Sequence, residues 1–243
     1  MRVRDAKMVL ASRLLKRYAI ARYCAVPWFS ANATRDANTK PVFRKPDGSE
    51  PLLFNITHQD GLVVLLGVGN PPPGLAVGVD IVSPSERRDH DHETITREGW
   101  STYVDIHAEV FAPEEASALN ALPFRRDTVK GRDELLRYFY SLWCMREAYV
   151  KMTGEALLAG WLRQLDMRDF APPEVMAEQG RAQGAWMHGK KVAGVEVTLK
   201  DLSGRFMVCS AVREGKDGRT VEVGQYGELD VGEILAFAMA PDA

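Results

Sequence analysis

The order of elements in this sequence predicts an α+β (α/β-like) fold. A periodic helix comes first, then three short strand-like runs, then helices, then two more strand-like runs, an order that suits neither an all-α nor an all-β chain. The 243 residues are 46% apolar, enough for one good-sized core or two small ones. The most apolar run, 62–68, is rich in β-branched residues and far short of the roughly 20 residues of a membrane span.

Each element has its own signal. Residues 5–23 carry Met8, Leu10, Leu14, Leu15 and Tyr18 near helical spacing, with Lys7, Arg13, Lys16 and Arg17 between them, and Pro27 stops the helix. Segment 30–51 is polar and turn-rich, with Pro46-Asp47-Gly48 as a turn. Strands are expected at 52–56 and 62–68, and the link Thr57-His58-Gln59-Asp60-Gly61 ends in Asp-Gly, which suits a hairpin. Pro71-Pro72-Pro73-Gly74 breaks the chain before a third strand, 76–82. Segment 83–100 is charged and reads as a loop, or as a helix with a solvated face. Pro113-Glu114-Glu115 opens a helix, with Pro in the first turn and acids near its positive end. The strongest helix spans 133–153, with Gly154 as its C-cap. Pro172-Pro173 marks another break, and 192–199 and 206–212 close the chain as strands.

A net charge of −2 gives no electrostatic argument for nucleic acid or an anionic membrane, and Lys190-Lys191 is too short a basic patch to change that. Cys24, Cys144 and Cys209 are far apart, with no Cys-x-x-Cys pair, so neither a zinc ribbon nor a disulfide scaffold is indicated. Together with a start that lacks the apolar core of a signal peptide, this gives a cytoplasmic expectation.

Three clusters carry chemistry. In Phe54-Asn55-Ile56-Thr57-His58-Gln59, a histidine beside a hydroxyl and two amides can bind phosphate or relay a proton; local backbone capping in a turn is the plainer reading. In Gly78-Val79-Asp80-Ile81-Val82, a carboxylate stands in an apolar strand, where it needs a partner or a metal unless it caps a strand end. In Trp143-Cys144-Met145-Arg146-Glu147-Ala148-Tyr149-Val150-Lys151, Glu147 and Lys151 share a helix face with Trp143 one turn before. A surface ion pair is the plain reading of that spacing, but Leu142, Tyr149 and Met152 on the neighbouring face argue for a mostly buried helix.

Together the three segments resemble the signature segments of the 4′-phosphopantetheinyl transferase superfamily, in the family's order and at plausible spacing. The usual forms are Asn-[Val/Ile]-Ser-His, Gly-[Val/Ile]-Asp and Trp-[Ser/Cys/Thr]-x-Lys-Glu-[Ala/Ser]-x-x-Lys, so Thr57 and Arg146 stand where Ser and Lys are common. Thr39-Lys40-Pro41 resembles the family's Gly-Lys-Pro segment without its Gly, and the helix at 5–17 is similar to the family's first helix. The resemblance runs from Asp5 to about Val212, to the larger, monomeric class and to its eukaryotic, fungal-like members.

The resemblance implies a pseudo-dimer of two similar halves, each a small, mostly antiparallel sheet with a long helix, and coenzyme A in the cleft between them. The halves would be 1–75 and 76–243, the second with the metal site and signature helix. The implied reaction moves the 4′-phosphopantetheine arm of coenzyme A to a serine of an apo acyl or peptidyl carrier protein, with Mg²⁺ and release of 3′,5′-ADP. Asp80 and Glu147 would hold the metal. Glu147, Lys151 and His58 would serve the chemistry, and Lys40, Pro41, Thr57, His58 and Lys151 would hold coenzyme A. The implied carriers belong to fatty-acid, polyketide and nonribosomal-peptide synthesis and to lysine biosynthesis.

Two features depart from the family. Many bacterial relatives read Asp-x-Glu; here the second position is Val82, which cannot coordinate, and the Gln59 side-chain oxygen is a candidate replacement. Four residues precede the first helix where relatives usually carry a strand and a basic stretch, so the chain reads as a short form or an incomplete one. Two other functions compete: another Mg²⁺-dependent phosphoryl or nucleotidyl transferase, against which the missing Gly-x-x-x-x-Gly-Lys-[Ser/Thr] loop counts, and a truncated homologue that binds coenzyme A or carrier protein without turnover. Asp89-His90-Asp91-His92-Glu93 lacks the spacing of a helical zinc site and reads as a solvated loop, and His107 and His188 stand alone.

Overall fold

The computed structural model describes residues 3–155, 160–179 and 183–240. The fold is mixed α+β, with helices packed on small antiparallel sheets. The first helix, α1 (Val3–Cys24), buries Met8, Ala19, Ile20 and Cys24. It is followed by a short ladder in the turn-rich segment, β1 (Thr34–Arg35) with β2 (Pro41–Val42).

The hairpin is longer than its apolar pattern suggested. Strand β3 (Leu52–Gln59) pairs with β4 (Leu62–Gly69) up to Gln59 opposite Leu62, so the turn is only Asp60-Gly61. Both turn residues take positive φ, 47° and 89°, as a primed two-residue turn demands. Because Asp-Gly alone closes the hairpin, Thr57, His58 and Gln59 are strand residues, not link residues.

Strand β5 (Ala76–Val82) leads into α2 (Arg88–Glu98), α3 (Trp100–Asp105) and α4 (Pro113–Asn120). The long helix α5 (Val129–Thr153) starts four residues before the expected Asp133, because the Thr128 hydroxyl accepts the Gly131 N–H at 3.1 Å and caps it. It ends where expected: Gly154 takes φ 83° and its N–H reaches the Val150 carbonyl. A three-stranded sheet without a clear sequence signal follows, built from β6 (Leu165–Arg168), β7 (Gly184–Met187) and β8 (Lys190–Lys191), with α6 (Pro173–Gln179) between β6 and β7. Strand β9 (Val195–Leu202) begins three residues after the expected 192, because Gly194 turns there with φ 65°. It pairs with β10 (Phe206–Arg213), the centre of the sheet β5-β10-β9, and the chain ends its described course in α7 (Val231–Ala238).

The main core lies where α5 crosses that sheet, with Leu142, Cys144, Met145 and Ala148 fully buried. The approach is backbone-close: a Cβ on Gly78 would lie 2.0 Å from the Ala148 carbonyl oxygen and 2.4 Å from the Met152 nitrogen, so only glycine fits. The β3–β4 hairpin joins this sheet through side chains, for the Asn55 Oδ1 accepts the Val79 N–H at 3.0 Å. Two of the small antiparallel sheets carry a long helix, α1 on the two strands β3–β4 and α5 on the three strands β5-β10-β9. From the far end of the chain, α7 returns to the first half, where Phe237 meets Tyr18 and Trp28 edge-on at 5.0 and 6.4 Å.

Candidate active site

Three elements converge on one carboxylate. Asp80 sits on β5, buried to 6% exposure, with Cys209 opposite it on β10. Its Oδ1 accepts from the Lys151 ammonium of α5 at 2.5 Å and from the Thr57 hydroxyl of β3 at 2.9 Å. Lys151 also donates to the Thr57 oxygen at 2.9 Å, which closes a triangle among β3, β5 and α5. The helical spacing of Glu147 and Lys151 therefore does not produce a surface ion pair; Lys151 crosses to Asp80 instead.

Around the triangle lies a cavity of about 290 Å³, lined among others by His58, Gln59, Asp80, Val82, Glu147 and Lys151. Trp143, Glu147 and Lys151, one turn apart in succession on α5, all face it. His58 and Gln59 reach it because the strand runs on to the Asp-Gly turn; His58 is exposed and Gln59 half-buried. Lys40 is elsewhere: its Nζ donates to the Met152 carbonyl at 2.8 Å, beside the C-cap Gly154, and burial pulls its ammonium down from the ordinary lysine range. Pro41 lies in β2, half-buried, and neither residue lines the cavity.

Burial sets the charges of the site. It pushes Asp80 above the ordinary carboxylate range, against the opposing pull of Lys151 and Thr57. Glu147 is half-buried and rises from 4.5 to about 7, first through burial and then through the charge of Asp80, with Lys151 opposing. Two buried carboxyl groups, the charge of one disfavouring ionisation of the other, stand beside one ammonium.

Other features were not visible in the sequence. Asn55 bonds β3 to β5, and Gly78 sets the distance of α5 from β5. Arg146 is buried against Glu115, whose only sequence signal was its place in the acidic first turn of α4. The charged run 89–93 is not the expected solvated loop but part of α2. Asp91 is 2% exposed and accepts the Tyr140 hydroxyl at 2.5 Å, and His92 Nε2 lies 2.8 Å from Asp133. His107 is wedged among aromatic rings, with its Nδ1 3.0 Å from the Tyr103 carbonyl oxygen.

Known proteins of similar sequence share one activity in their names. Residues 1–70 match the family model described as "4'-phosphopantetheinyl transferase, N-terminal", and residues 76–199 match "4'-phosphopantetheinyl transferase superfamily". The chain is 59% identical over 238 residues to "4'-phosphopantetheinyl transferase 1" of Fusarium mangiferae, covering 97% of this chain and 79% of that protein. It is 31% identical over 258 residues to "4'-phosphopantetheinyl transferase NpgA" of Emericella nidulans, covering 91% of this chain and 74% of that protein. The human "L-aminoadipate-semialdehyde dehydrogenase-phosphopantetheinyl transferase" is 30% identical over 157 residues, 63% of this chain and 44% of that protein. With such matches along most of its length, and the signature side chains gathered in one cleft, the chain belongs to the 4′-phosphopantetheinyl transferase superfamily.

Proposed function

We propose that this chain transfers the 4′-phosphopantetheine arm of coenzyme A to the serine of an apo acyl or peptidyl carrier protein and releases 3′,5′-ADP. The observation that carries the reading is the convergence of Asp80, Glu147, Lys151 and His58, from three separate elements, on one cavity. The serine hydroxyl forms a new O–P bond at the β-phosphorus as the bond to 3′,5′-ADP breaks. Such a displacement needs alignment and positive charge where negative charge develops. Lys151 supplies one cation to the phosphate oxygens, and exposed His58 at the rim supplies a hydrogen bond to phosphate. Glu147 takes the serine proton, a role suited to a carboxyl held near neutral. Thr57 orients Lys151 and Asp80, and Lys40 and Pro41 contribute to holding the nucleotide from the end of α5.

The donor set fits Mg²⁺, which prefers one or two carboxylates together with phosphate oxygens and water. Asp80 and Glu147 would hold it, with Gln59 in the place that Val82 cannot fill. Bound there, the ion would neutralise charge on the pyrophosphate.

In this reading the halves are 1–75 and 76–243, which the break at 71–74 supports, and the chain works as a cytoplasmic monomer without nucleic acid or membrane. Its carriers are those of fatty-acid, polyketide and nonribosomal-peptide synthesis, with lysine biosynthesis suggested by the human relative's name. The test is the intact mass of an apo carrier protein incubated with the chain, coenzyme A and Mg²⁺. A gain of one phosphopantetheinyl group, absent with Glu147→Ala or without metal, is expected. No gain with several carriers and a folded sample sinks the reading.

A further inference from the structure

Arg146 and Glu115 form the most deeply buried ion pair among the described residues, at 2% and 1% exposure, and the reaction outlined above makes no use of it. Arg146 Nη1 donates to both Glu115 oxygens at 2.8 and 2.7 Å and to the Leu165 carbonyl at 2.7 Å, and Nη2 donates to the Leu162 carbonyl at 2.5 Å. The Glu115 carboxylate also accepts the backbone N–H groups of Ala112 at 2.8 Å and Met167 at 2.7 Å. One pair of side chains therefore ties α5 to the start of α4 and to the entry of β6. Replacing a buried ion pair by uncharged groups often costs no stability, so stability is a poor reason for this one.

Its position supplies another. Arg146 immediately precedes Glu147, so fixing the rotation of α5 at one residue fixes the direction of the next. A second link runs through packing. The guanidinium lies 6.0 Å from the Phe111 ring centroid, and Phe111 meets Trp143, a cavity-lining residue, edge-on at 6.2 Å. We infer that the Arg146–Glu115 pair is a positioning device that fixes the rotation of α5 and with it the placement of Glu147 and Trp143 in the cleft. Its effect on turnover rests on the phosphopantetheinyl-transfer reading; its effect on the helix does not.

The test is the Glu115→Gln/Arg146→Met double variant of the full chain, which removes both charges while an amide oxygen at position 115 can still accept the Met167 N–H. Melting temperature, kcat and KM for coenzyme A, and amide hydrogen exchange across 143–151 are compared with the native chain. The expected result is a melting temperature lowered by several degrees, because the Leu162 and Leu165 carbonyls lose their donor, a kcat lower by about tenfold to a hundredfold, and a KM changed by less than about twofold. Exchange at the Glu147 turn is expected to be faster by about tenfold. Arg146→Lys, which keeps the charge with a single nitrogen, falls between. Native kcat in the double variant, or unchanged exchange across 143–151, overturns the proposal. Should the double variant not fold, native kcat or native exchange in Arg146→Lys overturns it alone. A native chain that transfers nothing sinks the functional reading instead, and the exchange comparison still decides this one.

Discussion

Glu147 is held where its ionised form is disfavoured, and that has a measurable sign. Its carboxyl rises from 4.5 to about 7 on folding, so between these values the folded chain binds the proton that the unfolded chain has lost. Stability from this group is complete below pH 4.5 and lost as pH rises through 7. Glu147→Gln removes the loss: at pH 8 without Mg²⁺ the variant is expected to be more stable by about 1–3 kcal/mol in urea unfolding and inactive in transfer. A destabilised variant would show that Glu147 is not strained by burial. Under the proposed Mg²⁺ role, Asp80→Ala is expected to abolish turnover, while Gln59→Ala raises the Mg²⁺ requirement. An unchanged Mg²⁺ requirement in the second removes Gln59 from the site. Thr39 is strained in another way, because it takes φ 64°, a left-handed conformation that suits poorly a β-branched side chain. The glycine of the family's Gly-Lys-Pro pattern falls at this residue, and Thr39→Gly is expected to stabilise the chain by about 1 kcal/mol in thermal unfolding.

At the scale of elements, the contact between β5 and α5 decides most. Asp80 meets Lys151 only because Gly78, two residues earlier on β5, lets the helix backbone approach the strand. Gly78→Ala is expected to cost about 3 kcal/mol in urea unfolding, since its new methyl would meet backbone atoms that cannot turn aside. A loss below about 1 kcal/mol would show that the helix can shift freely. Helix α5 and the β3–β4 hairpin were legible in the sequence because their signals are local: a long apolar period closed by Gly154, and two apolar runs joined by Asp-Gly. The sheet of β6, β7 and β8 was not, because strands of four, four and two residues are too short for a period to emerge. Helix α2 has no apolar period to show, because its buried face is mostly polar, with Asp91 against Tyr140 and Thr94 beside the single aliphatic Ile95.

Across the whole molecule, the β3–β4 hairpin is held to the β5-β10-β9 sheet by more than the segment that links them. Asn55 and Thr57 bond across to β5, and α7 brings the end of the described chain back onto α1. Phe237→Ala is expected to destabilise the chain by about 1–3 kcal/mol and to speed amide exchange in α1 while leaving α5 unchanged. Equal acceleration in both helices would mean that α7 supports the entire fold and not the first half.

By itself the sequence determined the mixed class, the long helix and the hairpin, since these rest on composition and local periodicity, while the candidate site residues came from the resemblance of three segments to a known family. It also determined that Trp143, Glu147 and Lys151 would share a helix face. The tertiary structure alone decided what that face meets. Lys151 bonds to Asp80 and Thr57, Lys40 caps the end of α5, and Arg146 turns inward to Glu115. A side chain's partner across 71 or 112 residues is chosen by how helix and sheet pack, and no local pattern encodes that choice.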